Sequence, residues 1–145
     1  MISQANFLWN GKPLSLYEYV CVSSFLRNGF KVQVFTYDNN LQIPDGAIRR
    51  DARSIMPENL LNSFTLSGQK GSMAGFADAF RCNLLQQEGG WWFDADVMCL
   101  KSADDFRGLV TSKPKPVSMG LQNSKYINNA VVYADDRIFV DALLA

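Results

Sequence analysis

The stretch that most restricts what this chain can fold into is residues 73–96. A segment of helical period (MAGFADAFRCNLLQQE) ends at Gly89-Gly90 and gives way at once to Trp91-Trp92-Phe93, which halts at two acids, Asp94 and Asp96. Met73, Phe76, Ala77, Phe80 and Leu84 recur at i, i+3, i+4, i+7 and i+11, the spacing of one apolar helix face. Glycines after the last turn accept the backbone conformation that ends helices. The short run of bulky aromatics reads as a strand inside a sheet. A helix that must rest its stripe on a sheet, and then feeds a strand into that sheet, predicts an α/β fold.

The N-terminal part repeats the theme. Residues 5–9 (ANFLW) read as a first strand, closed by Asn10-Gly11 and Pro13. Residues 14–28 read as a helix with Leu16, Tyr17, Val20, Cys21, Ser24 and Phe25 on one face, stopped by Asn28-Gly29. Residues 31–37 (KVQVFTY) read as a second strand, and Asp38-Asn39-Asn40 turn the chain. Strand, helix, strand in this order predicts a βαβ unit with a parallel pair. From 41 to 72 the chain is broken by Pro44, Asp45, Gly46, Pro57 and Gly68. Residues 47–50 suggest a short strand, 57–64 a short helix opened by proline, and 68–72 a flexible loop. After the acids, strands are expected at 97–100, 117–121 and 130–133, the last two around a polar stretch at 122–129. Pro114 and Pro116 mark a loop. Residues 135–145 read as an amphipathic helix through Ile138, Phe139, Ala142, Leu143 and Leu144, which ends without a cap. The expectation is one domain over residues 1–145, without repeats.

Composition removes several functions. Fourteen basic and fourteen acidic residues cancel, and no basic stripe with interleaved aromatics points to nucleic acid. The chain has no histidine, which removes histidine zinc sites, Ser-His-Asp triads and Cys-His dyads. Cys21, Cys82 and Cys99 are odd in number and sit in apolar runs, as buried free thiols of a reducing compartment would. The N-terminus lacks the pattern of a signal peptide. No run approaches the ~20 apolar residues of a membrane span. A cytoplasmic protein is expected.

Asp94-Ala95-Asp96 alone decides little. With eleven aspartates in 145 residues, about one such pair is expected by chance. Its position after an apolar strand matters more. Strand alternation would put both acids on one side and Ala95 opposite. Two such carboxylates repel, and Mg²⁺ or Mn²⁺ with phosphate oxygens would relieve them. An acidic turn between two strands reads as well from these residues alone. Asp78 and Arg81, three apart on the preceding helix, flank its stripe as a local ion pair or as ligand groups.

At this point the residues resemble a family. The segment 76–101 (FADAFRCNLLQQEGGWWFDADVMCLK) is similar to the core signature of glycosyltransferases with sugar-binding DXD motifs. These are the Och1-like mannosyltransferases, the bacterial capsular-polysaccharide and lipopolysaccharide transferases, and the clostridial glucosylating toxins. Ala77-Asp78-Ala79-Phe80-Arg81, Gly89-Gly90 and Asp94-Ala95-Asp96-Val97 keep the family's spacing. FLWNGKPL at 7–14 resembles the family's opening, and residues 128–134 (NNAVVYA) resemble a later, less distinctive stretch.

The resemblance implies a GT-A type nucleotide-diphospho-sugar transferase fold, Rossmann-like, with a mostly parallel sheet and helices on both faces. It implies a metal-dependent, retaining transfer of a hexose from a UDP- or GDP-sugar to a saccharide or other hydroxyl acceptor, in surface polysaccharide or lipopolysaccharide synthesis. Asp96 would bind Mn²⁺ or Mg²⁺, assisted by Asp94, which would also hold donor hydroxyls. Asp78 and Arg81 would hold the sugar and ribose, with Arg81 facing phosphate. Trp9 would stack on the base; a core or interface tryptophan is the plainer reading. Trp91 and Trp92 read as packing residues. Family domains run longer, so the chain is expected to be the N-terminal part of a catalytic domain, able to associate peripherally with membranes or to oligomerise through its last helix. Two alternatives stand beside this: a non-catalytic nucleotide-sugar-binding fragment, and a DxD phosphohydrolase. The latter family expects Thr or Val where Met98 stands, and its motif on the first strand.

Overall fold

Successive side chains of a strand point to opposite faces, and this chain uses that rule to build two cores on one sheet. The computed structural model describes residues 3–66, 69–71, 73–111, 117–121 and 123–135. In chain order they form β1 (Gln4–Leu8), α1 (Leu16–Arg27), β2 (Lys31–Thr36), β3 (Ile48–Asp51), β4 (Thr65–Leu66), β5 (Gln69–Lys70), α2 (Met73–Glu88), β6 (Gly90–Phe93), α3 (Ala103–Thr111), β7 (Val117–Leu121) and β8 (Ile127–Ala134). The main sheet has the order β3-β2-β1-β6-β8-β7, and β4 and β5 pair separately. From β3 to β6 the neighbours are parallel; β6, β8 and β7 are antiparallel. The α/β class and the N-terminal βαβ unit expected from the sequence are present.

One face of the sheet carries Ala5, Phe7, Val32, Val34, Trp91, Phe93 and Tyr133, packed against Val22 and Phe25 of α1 and Ala103 and Val110 of α3. The other carries Leu8, Phe35, Trp92 and Val132, packed against Phe76, Phe80, Leu84 and Leu85 of α2. Helices therefore cover both faces. Phe25 and Phe93 lie 4.3 Å apart between ring centroids and Phe7 and Phe25 5.0 Å. Truncating a fully buried phenylalanine in such a cluster costs about 3–5 kcal/mol. Gly89 and Gly90, at φ +67° and +90°, make the sharp passage from α2 into β6, in a conformation that L side chains rarely adopt.

Several expectations are corrected. Leu16, Tyr17 and Val20 are 79%, 59% and 40% exposed; of the expected face α1 buries Cys21 and Phe25, and it adds Val22. Met73, at the start of α2, is also exposed. Residues 97–100 are not a strand. Their backbone groups are taken by α1: the Cys99 amide donates to Ser24 Oγ and its carbonyl accepts from Asn28 Nδ2. Within 57–64 the regular part is a 3₁₀ turn at Glu58–Leu60. Gln69–Lys70 pairs with Thr65–Leu66 rather than looping freely; Gly68 and Ser72 lie outside the described residues. The helix α3 was not anticipated, and β8 begins at Ile127, within the stretch read as polar linker. The helix expected from 135 falls, beyond Asp135, outside the described residues.

Candidate functional site

The strand order reverses direction at β1. From there the chain moves outward to β2 and β3, whereas β6 sits on β1's other side and leads to β8 and β7. Such a switch point opens a crevice at the carboxyl ends of the strands. Trp9 directly follows β1, and Asp94 directly follows β6. Helix α1 leaves from the end of β1, and α2 returns to enter the parallel β6. Both helices thus turn their N-terminal halves, the positive ends of their dipoles, toward this edge.

A cleft of about 440 Å³ opens there, and all five residues singled out from the sequence line it: Trp9, Asp78, Arg81, Asp94 and Asp96. Ala74 and Ala77 leave room on the α2 wall, and Leu8 and Trp92 supply apolar surface. Arg81 is the pivot. It is only 5% exposed. Its Nη2 donates to Asp94 Oδ1 at 3.1 Å, and its Nη1 lies 3.2 Å from Asp78 Oδ1. Its guanidinium stacks over the Trp92 ring, 5.0 Å from the centroid. The buried Nε and Nη1 have no hydrogen-bond partner among the described residues. Nη1 is met by the Asp78 carboxylate as an ion pair, which leaves Nε as a buried donor that is costly to keep unpaired.

The local ion pair and the ligand-facing position are therefore both present at Arg81. Asp94 is fixed by Trp92 Nε1, which donates to Oδ1 at 2.8 Å, and by its own amide, which donates to the Ala130 carbonyl of β8. Trp92 packs as expected but also orients the site. The acids do not alternate along a strand: Val97 N–H donates to the Asp94 carbonyl, closing a turn. In that turn Ala95 is buried and Asp96 exposed, so the pair still borders one cleft. The Tyr17 hydroxyl donates to the Asp96 carbonyl at 3.1 Å and ties the turn to α1.

Asp96 accepts no side-chain hydrogen bond among the described residues, and Asp94 keeps its second oxygen open. Among the described residues no three Cys, Asp or Glu side chains converge as a ready-made metal cage. Two carboxylates, with the remaining positions left to phosphate oxygens and water, suit Mg²⁺ or Mn²⁺. The charge balance points the same way. Glu18, Asp78, Asp94 and Asp96 line the cleft against one cation, Arg81, so an anionic ligand needs a counter-charge. The Cys21 thiol, on α1, is buried, and burial pushes its pKa above the usual thiol range, which makes it a poor nucleophile.

Sequence reasoning missed Glu18 and Asn129. Asn129 Nδ2 donates to Asp78 Oδ1 at 3.1 Å from β8; its signal was the polar Asn128-Asn129 pair, taken as linker. Glu18 belongs to Ser15-x-x-Glu18, a capping box readable in the sequence. Hydrogen bonds from Ser15, its hydroxyl first and its amide after it, hold the Glu18 carboxyl below the usual pKa. The three cysteines are free, and no described helix is long and apolar enough to cross a membrane.

The family model described as capsular polysaccharide synthesis protein matches residues 55–132, more than half of the chain. The matched region holds Asp78, Arg81, Asp94, Asp96 and Asn129; Trp9 and Glu18 fall outside it. No curated protein and no solved structure matches.

Proposed function

The chain belongs to the capsular polysaccharide synthesis protein family, and on that premise we propose that it is a metal-dependent glycosyltransferase. It moves a hexose from a UDP- or GDP-sugar to a saccharide or other hydroxyl acceptor, with retention at the transferred carbon. The observation that carries this reading is Arg81, buried between Asp78 and Asp94 in the lining of the switch-point cleft, beside the exposed Asp96. The strand order and the helices on both faces support a GT-A type sheet.

In this reading Asp96 and the open oxygen of Asp94 hold Mn²⁺ or Mg²⁺. When bound, the ion supplies Lewis-acid stabilisation to the departing diphosphate. Arg81, itself buried, adds a fixed positive charge where phosphate charge grows. Asp78, half-exposed and held by Asn129, accepts sugar hydroxyls. Trp9 has a half-buried ring held at its Nε1 by the Lys12 carbonyl, and it offers a face to the base.

Calorimetric titration of UDP- and GDP-hexoses, with Mn²⁺ and with chelator, tests the proposal. Saturable binding that requires the cation is expected. Equal affinity in chelator would overturn it. Turnover with a saccharide acceptor separates a transferase from a domain that only holds the donor.

A further inference from the structure

The cleft has two walls, and on the one opposite α2 only Trp9 has so far been given a role. Glu18 stands on the other, at the third position of α1. Its Oε2 accepts the Ser15 amide at 2.9 Å, and the Ser15 hydroxyl bonds the same carboxylate. The carboxylate is thus held in place by Ser15 and keeps lone pairs toward the cleft it lines. A held carboxylate repels phosphate and accepts hydroxyl hydrogens. Trp9 shares this wall. Its Nε1 donates to the Lys12 carbonyl at 2.7 Å, and the same loop runs on to the Ser15 cap that Glu18 closes. Ring and carboxylate therefore line one cleft from one short stretch of chain, each fixed by a backbone hydrogen bond.

We propose that Glu18 binds the ribose of the donor nucleotide, accepting a 2′- or 3′-hydroxyl hydrogen at Oε1. This rests on the nucleotide-sugar reading of the cleft and adds a residue that lies outside the family match. Glu18 acts in binding, on the part of the donor that is not transferred.

The test is a cycle of protein and ligand variants. UDP and GDP, with Mn²⁺, are titrated as the ribo, 2′-deoxy and 3′-deoxy forms into the wild-type chain, Glu18→Gln and Glu18→Ala. Glutamine keeps the capping box, so a melting curve close to wild type is expected for that variant even where alanine disturbs α1. Removing the contacted hydroxyl should weaken wild-type binding about tenfold, the scale of one hydrogen bond to a charged group. In Glu18→Gln the deoxy penalty should shrink several-fold, and in Glu18→Ala it should vanish. Nucleotide binding with the same deoxy penalties in wild type and Glu18→Gln would overturn the Glu18 assignment and leave the proposed function standing. Failure of both ribonucleotides to bind the wild-type chain would overturn the two together.

Discussion

Arg81 shows how one side chain can belong to the fold and to the site at once. Its stem is buried, its fork spans Asp78 and Asp94, and its plane rests on Trp92. The two carboxylates are 51% and 36% exposed, so solvent screens much of the Coulomb attraction. Arg81→Ala should therefore cost about 1–3 kcal/mol, chiefly from lost packing and from the Asp94 bond, as read by urea unfolding. It should also weaken nucleotide-sugar binding more than tenfold. Arg81→Lys keeps the charge but not the fork, and should recover stability better than affinity. Full affinity in a folded Arg81→Ala would remove the ligand role. At this scale it was the resemblance of 77–81 and 94–97 to a family signature, and not their spacing alone, that picked out the α2 wall and the acidic turn. Glu18 and Asn129 escaped because neither lies in a chemical motif: one reads as a helix cap, the other as loop polarity.

Among the elements, those with a strong period were legible and those built by side-chain capture were not. The limits of α2 match the stripe and its glycines, and β1 and β2 follow their alternation. Segment 97–100 looked like a strand because Val97, Met98 and Leu100 are apolar, yet Ser24 and Asn28 claim its backbone. Helix α3 was hidden by Gly108 and the acids at its start, although Ser102 and Asp105 cap one another there. Two predictions belong to elements. Ser15→Ala removes the oxygen that accepts the Tyr17 amide, so it should lower stability by about 1 kcal/mol in thermal or urea unfolding. Tyr37 follows β2, and its hydroxyl donates to the Met56 carbonyl, pinning the following 3₁₀ segment. Burial, with Glu58 adding to it, pushes its pKa up to about 12. Below pH 10 folded and unfolded chains both keep this proton. Between roughly 10 and 12 the unfolded chain loses it first, so stability falls as pH rises, by about 2 kcal/mol over the whole window. Tyr37→Phe should flatten this decline in urea midpoints measured at pH 9, 10 and 11, at the cost of the Met56 bond.

For the whole molecule, what matters is that the cleft lies where the two cores share strands. β1 and β6 send alternate side chains into both layers, and α1 and α2 reach the same edge from opposite faces. A ligand held by Trp9 and Glu18 on one wall and by Asp78 and Arg81 on the other would clamp both layers. It should therefore raise the stability of the described fold as a unit, rather than order one loop. Nucleotide sugar at a hundred times its dissociation constant adds about 2.7 kcal/mol, which for a chain this size moves the melting midpoint by roughly 10 °C. The four cleft carboxylates make the cation a partner in this effect. Nucleotide sugar alone, added with chelator, should shift the midpoint little, and Mn²⁺ with nucleotide sugar should shift it fully. Asp96→Asn removes an exposed carboxylate that supports no described side-chain bond, so its unliganded midpoint should match wild type while the joint shift collapses. Differential scanning calorimetry reads all of this in one series. A full shift in chelator, or an undiminished shift in Asp96→Asn, would mean that the acidic turn does not hold the cation, and the metal assignment would fall with it.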